Sequence, residues 1–150
     1  MHDRIPFRIR PMLPTLVSQA FEREGWVYEE KYDGVRILAY KEGQKISLMS
    51  RNDVGRTGSY PIIADAVRKL RATTLLLDGE VMAFDRRRVS RFQLLQKGGS
   101  HVSYAVFDLL YKNGEDLRKR PLSLRRAMLE ETVTESEDLL LSRLFRLFSG

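Results

Sequence analysis

Residues Glu29 to Arg36 read EEKYDGVR, a lysine ahead of an aspartate and a glycine with an arginine five residues further on. Side chains alternate along a strand, so Glu29 and Lys31 share one side and Tyr32 takes the other. A carboxylate beside an amine can hold a ligand base next to a nucleophile. Lysine attacks phosphorus only as the free amine, so its pKa of about 10.4 has to be lowered by burial or by nearby positive charge, a metal ion included. Arg36 is placed to supply part of that field. The plainer alternative is a solvated strand edge with a Glu29 to Lys31 ion pair.

Three further segments carry polar groups where a core wants apolar ones. SLMSRN, residues 47–52, ends a strand with Arg51, which by itself reads as a strand-end arginine in solvent. LLLDGEV, residues 75–81, puts Asp78 and Glu80 on one side of a strand whose neighbours Leu75, Leu76, Leu77 and Val81 favour burial. These acids either flank a tight hairpin turn at Gly79 or coordinate Mg²⁺ and sugar hydroxyls. SYAVFDLLY, residues 103–111, alternates so that Tyr104, Val106 and Asp108 face one way and Ala105, Phe107 and Leu109 the other, with Phe107 reading first as a core residue.

Positioning elements can be read on either side of these segments. PTLVSQAFEREG predicts a short helix capped by Thr15, with Leu16, Val17, Ala20 and Phe21 on one face and Gly25 as its stop. A period of two from Trp26 predicts antiparallel strands WVYEEK, VRILAYKEG and QKISLMSRN, with turns at Asp33–Gly34 and at Glu42–Gly43. Asn52 to Tyr60 is a polar loop, and Pro61 opens a helix with Ile62, Ile63, Ala66, Val67 and Leu70 at helical spacing. TLLLDGEVMAF is a strand, DRRR a basic turn, and VSRFQLLQKGG a short helix from a Ser90 cap to a Gly98–Gly99 stop. HVSYAVFDLLY, a KNGED turn, a helix from Pro121 or Ser123, and a last strand DLLLSRLF complete the chain. Strands interspersed with helices make this an α+β fold.

Composition narrows the chemistry. The 150 residues include no cysteine and two isolated histidines, which excludes disulfides, thiolate zinc sites and cysteine nucleophiles. Any metal must be held by oxygen. The net charge is +6, and 19 of the 26 basic residues are arginine, whose planar fork suits phosphate better than an ammonium does. No apolar run is long enough to cross a membrane and the N-terminus lacks a secretory apolar region, so the expected location is cytoplasmic, without a membrane partner. No Walker or kinase glycine loop precedes a lysine.

KYDGVR resembles the nucleophile motif Lys-x-Asp-Gly-x-Arg of the ATP-dependent DNA ligases, a branch of the covalent nucleotidyltransferases; Lys31, Asp33, Gly34 and Arg36 match its fixed positions. SRN and DGE resemble the family's next two elements, FDLLY the one after, and PMLPTL and DLRKRPLSLRRAMLEE resemble its flanking segments in bacterial enzymes. The resemblance spans nearly the whole chain and implies an ATP-grasp-like nucleotidyltransferase domain, with largely antiparallel sheets flanked by helices. It also implies that Lys31 attacks the α-phosphate of ATP, forms lysyl-AMP and releases the AMP to a DNA 5′-phosphate at a nick in double-stranded DNA. By the same resemblance Glu29 and Phe107 surround adenine, Arg36 and Glu80 meet the sugar, and Arg51 approaches phosphate or sugar. Mg²⁺ (or Mn²⁺) sits near Glu80 with Asp78 in support. The setting implied is DNA repair, recombination or replication in a bacterial-type, nucleoid-associated enzyme.

The family's later Glu-Gly motif, its final lysine-bearing motif and its OB-fold domain have no counterpart before Gly150. The expectation is thus a partial adenylation domain over 1–150, incomplete at its C-terminus, for which a partner chain could supply the rest. Two other functions compete with the leading one. One is a catalytically deficient remnant that binds nucleotide or DNA by charge. The other is a related RNA ligase or capping guanylyltransferase, against which KYDGVR with FDLLY speaks.

Overall fold

The computed structural model describes residues 5–13, 27–29, 32–52, 54–98 and 100–146. The predicted helix from Thr15 to Gly25 and the nucleophile candidate Lys31 lie outside the described residues.

The alternating segments form a mostly antiparallel six-stranded sheet, and the α+β expectation holds. Strand β1 (Val27–Glu29) stands apart, whereas β2 (Val35–Glu42) and β3 (Lys45–Ser50) make a hairpin in which Glu42 faces Lys45. Gly43 has φ 60, the left-handed conformation that favours glycine at the first central position of a two-residue hairpin. The polar loop that follows contains one 3₁₀ turn, Thr57–Ser59, and Pro61 opens α1 (Pro61–Arg68) where its missing N–H costs nothing. Next come β4 (Thr74–Ala83), α2 (Phe92–Lys97), β5 (Val102–Lys112), β6 (Glu115–Asp116) and α3 (Leu122–Thr132). The order in the sheet is β3-β2-β4-β5-β6.

The last predicted strand, DLLLSRLF, is two. Leu139–Leu141 forms β7, parallel to β5, and Leu144–Arg146 forms β8, paired with β1 in a separate two-stranded sheet. The break falls at Ser142, whose N–H donates to the Val106 carbonyl while its own hydroxyl and carbonyl accept from the buried Arg126 guanidinium. That anchor halts β7 and sends the chain to the other sheet.

The two faces of the large sheet differ. One carries Ile37, Ala39, Leu48, Leu75, Leu77, Val81, Tyr104, Val106 and Leu109, packed under Ile63 and Val67 of α1 and Leu129 of α3. At roughly 25 cal/mol per Å² of apolar surface removed from water, this is the chief source of stability. The other face holds a smaller cluster of Leu38, Tyr40, Leu76 and Tyr111, covered by Ile5 from the N-terminal segment. Phe7 stacks on Tyr40 with ring centroids 4.9 Å apart. The same face also carries the polar residues Arg36, Asp78 and Glu80. No helix among the described residues is long and apolar enough to cross a membrane.

Candidate active site

The polar part of the second face is set by strand register. Arg36 stands opposite Glu80 and Leu38 opposite Asp78 in the β2–β4 pair, so Arg36, Asp78 and Glu80 project to one side as period two requires. Arg36 reaches diagonally to Asp78: Nε donates to Oδ1 and Nη2 to Oδ2, both at 2.7 Å. Nη2 also donates to the Met12 carbonyl at 2.8 Å, which ties the N-terminal segment to the site.

The pair is deeply placed, with the Asp78 side chain 4% exposed and that of Arg36 16%. Burial pushes the Asp78 carboxyl above the usual carboxylate range, against the downward pull of the Arg36 hydrogen bonds and charge. Burial also acts to lower the Arg36 pKa, but the Asp78 hydrogen bonds and charge outweigh it and the guanidinium is held more firmly protonated. The positive field expected from Arg36 toward Lys31 is therefore offset at its source by Asp78. Both Asp78 oxygens are engaged by the guanidinium, and what the geometry shows for Asp78 is the holding of Arg36.

The opposite side of the guanidinium's environment is aromatic. Its central carbon lies 4.6 Å from the Phe107 ring centroid, a cation–π contact. The simple alternation expected for β5 fails here. The β4–β5 register slips between Asp78 and Gly79, where Phe107 is skipped, and again between Leu76 and Leu77, where Leu110 is skipped. Each bulge shifts the phase by one residue. Tyr104, Val106 and Leu109 thus belong to the large core together, Asp108 pairs with Asp78, and half-buried Phe107 meets Arg36 rather than core. Asp108 in turn binds Arg125, with Nε donating to Oδ1 at 2.9 Å and Nη2 to Oδ2 at 3.2 Å.

Neither motif glycine is where it is for the sake of a turn alone. Gly79 sits in the middle of β4, not in a hairpin turn. A Cβ there would fall 2.4 Å from the Ala105 carbonyl oxygen and 2.8 Å from the Tyr104 ring. That ring is fully buried and its hydroxyl donates to the Ile37 carbonyl at 2.7 Å, so β5 reaches past β4 to β2 through the space the glycine leaves. At Gly34 a Cβ would fall 2.1 Å from the Val81 carbonyl oxygen.

Asp33 has a task that its place in the motif does not reveal. Its N–H donates to Ser90 Oγ at 2.8 Å, and its Oδ2 accepts from the Phe92 N–H at 3.1 Å, the first residue of α2. The predicted Ser90 cap is replaced by this long-range one: Arg91 occupies the cap position without a side-chain capping bond, and Asp33 satisfies the open N–H from 59 residues away. The Gly98 stop is as expected, at φ 73.

The remaining expected residues are distributed as follows. Exposed Arg51 lies past the end of β3 and lines a cleft of about 500 Å³ together with Arg8 and Arg10, a basic wall alongside the N-terminal segment. Glu80 is half-buried and contributes to the field that keeps Arg36 protonated. Glu29 closes β1 by pairing with Leu144; its side chain, like Lys31, lies outside the described residues. Of the expected site, then, Arg36, Asp78, Glu80 and Phe107 are brought together, and Asp33 and Gly34 fix the loop that leads from Lys31 into β2.

Residues 11–145 match the family of ATP dependent DNA ligase domains. A DNA ligase 1 of Methanosarcina mazei is 38% identical over 135 residues, covering 77% of this chain and 23% of the relative. The multifunctional non-homologous end joining protein LigD of Pseudomonas aeruginosa is 37% identical over 131 residues, covering 84% of this chain and 16% of that protein. Among solved structures, a mycobacterial DNA ligase D complexed with ATP and MES superimposes with a TM-score of 0.78 at 28% identity, covering 93% of this chain and 48% of that one. The chain thus spans under a quarter of these curated relatives and about half of the structural neighbour.

Proposed function

Because this chain belongs to the ATP-dependent DNA ligase domain family, we propose that it performs nick sealing: Lys31 takes AMP from ATP and hands it to a DNA 5′-phosphate. The Lys31 amine, having lost a proton, attacks the α-phosphorus. The bond to the bridging oxygen breaks, and pyrophosphate leaves with that electron pair. AMP then passes from nitrogen to the DNA 5′-phosphate, activating it for the adjacent 3′-hydroxyl.

The observation that carries this reading is the convergence of Arg36, Glu80 and Phe107 on one open sheet face, at the end of the motif loop that begins with Lys31. In it Asp78 and the Phe107 ring hold the Arg36 guanidinium in one orientation toward the sugar, which lowers the entropy cost of binding. Glu80 accepts from ribose hydroxyls, Glu29 and Phe107 border adenine, and the Arg51 cleft lies toward phosphate.

Among the described residues no three of His, Cys, Asp and Glu come together. Mg²⁺ is commonly held through one or two carboxylates, with the other oxygens from phosphates and water. Glu80 would be the first ligand, with Asp78 behind it. Such an ion would supply positive charge against the charge that builds on the α-phosphate.

The test is incubation with ATP labelled at the α-phosphate and Mg²⁺, followed by denaturation. Wild type retains label and Lys31→Ala does not; label that persists in the variant, or is absent from folded wild type, overturns the reading. Labelling by GTP in preference to ATP would move the assignment to the capping enzymes, since the Glu29 acceptor suits the adenine amine and opposes a guanine carbonyl.

A further inference from the structure

The turn between β4 and α2 lies outside the cluster of Arg36, Asp78, Glu80 and Phe107, and it carries three consecutive arginines. Arg86, Arg87 and Arg88 follow one another, all exposed, and among the described residues no acid pairs with any of them. Nearby Arg91 is different: it is paired with Asp85 at 3.2 Å.

The turn is held firmly. Asp85 Oδ1 accepts from the N–H groups of Arg87 and Val89 at 2.8 and 3.0 Å, the Asp85 N–H donates to the Val89 carbonyl, and Phe84 bridges Ser90. Arg88 has φ 61, a conformation that costs an L-residue with a long side chain and that glycine adopts freely. An arginine at such a position places backbone strain at an exposed cationic tip, a pattern associated with function. The base of the same turn is fastened to the motif loop, through Ser90 and Phe92 to Asp33, two residues from Lys31.

We propose that Arg86, Arg87 and Arg88 form a phosphodiester clamp that grips the DNA backbone next to the strand end receiving AMP. The identity of the polyanion rests on the ligase reading above; the clamp itself rests on three exposed guanidiniums, none paired with an acid among the described residues, on a braced turn. Arginine is the residue suited to this, because its fork donates two parallel bonds to one phosphate. Asp33 makes the clamp and the nucleophile loop one rigid unit.

The experiment measures binding of the full chain to a fluorescent nicked duplex by anisotropy across a salt series. Replacing all three arginines by Gln is expected to weaken affinity about tenfold or more at low salt and to reduce the log–log salt slope by up to about 2.7, some 0.9 for each phosphate no longer neutralised. The matched control is K45Q/K69Q/R71Q, which removes three exposed cations at the other end of β4. It is expected to leave the slope nearly unchanged. Arg88→Gly is expected to raise the melting temperature by roughly 2 °C or more while lowering DNA affinity, a combination that a merely structural turn would not give. Equal losses in the triple variant and its control, unaltered affinity in the triple variant, or no duplex binding by wild type overturns the clamp. Adenylation is read separately on wild type: absent label there defeats the ligase reading, and the affinity comparison still decides whether the turn binds a polyanion.

Discussion

Replacing Gly79 by alanine tests the packing argument at its tightest point. The new Cβ would stand 2.4 Å from the Ala105 carbonyl oxygen, whereas ordinary contact begins at 3.4 Å, so β4 and β5 must separate locally by about 1 Å or the Tyr104 ring must move as well. Tyr104 has no free space, and its hydroxyl bond to the Ile37 carbonyl is the price of moving it. Overpacking of this kind costs about 1–3 kcal/mol and an impaired buried hydrogen bond about 1 kcal/mol more. The sum, roughly 2–4 kcal/mol, lowers the melting temperature by roughly 4–16 °C in a domain of this size. Asp78 and Glu80 flank the glycine, so labelling of Lys31 should fall further than the loss of folded protein explains, since a displacement of about 1 Å at a site can cost roughly a hundredfold. Gly58→Ala is the control: nothing lies within 4 Å of its added Cβ, so its melting temperature should stay put or rise slightly. A Gly79→Ala protein that melts within about 1 °C of wild type and labels normally would refute the reasoning.

Other perturbations should be equally readable. Asp78→Ala strands the Arg36 guanidinium and is expected to cost about 3–5 kcal/mol, seen in chemical denaturation; Arg36→Lys loses the two parallel bonds and the flat contact with Phe107, so ATP labelling should drop even where folding survives. Asp33→Ala removes the acceptor at the start of α2 and should destabilise by about 1 kcal/mol, with faster amide exchange at Phe92 as its local sign. The pH responses of two acids should run in opposite directions. Asp85 is held below the usual carboxylate range, chiefly by the Val89 N–H; its contribution is complete above the ordinary value of about 3.9 and is lost as pH falls through its lower folded value. Amide exchange at Arg87 and Val89 should therefore accelerate on acidification. Asp78, raised by burial, favours the folded state most below about 3.9 and contributes less as pH rises through its higher folded value, which carboxyl chemical shifts followed against pH would check.

How much of the fold and site is legible in the sequence depends on the range of the interaction that decides each feature. Period two marks β2, β3 and β4, and Pro61, Gly43 and Gly98 mark ends, because those signals act within a few residues. Ser90 looks like a helix cap because the local pattern has no means of announcing that Asp33 arrives from another part of the chain. DLLLSRLF looks like one strand because its apolar run is continuous, whereas the break at Ser142 is made by Arg126 on α3. The phase of β5 escapes simple alternation for the same reason: a bulge inserts a residue without altering composition, so the Phe107 that alternation assigns to the core emerges beside Arg36.

The two motifs that carry the resemblance are physically one object. KYDGVR and LLLDGEV lie more than 40 residues apart in the chain, yet the β2–β4 register sets Arg36 against Glu80 and Val35 against Val81, and Gly34 brings the motif loop onto the Val81 carbonyl. Had Gly79 been a hairpin turn, Asp78 and Glu80 would have sat at a sheet end, exposed and free to rearrange. In mid-strand they inherit the stiffness of a fully paired neighbour on each side, β2 and β5. The glycines admit close backbone approach, close approach fixes the register, and the register places an arginine where only a buried carboxylate can balance it. Asp78 follows from Arg36 as a matter of electrostatics, and Glu80, two residues on, is thereby aimed at whatever Arg36 is held to meet.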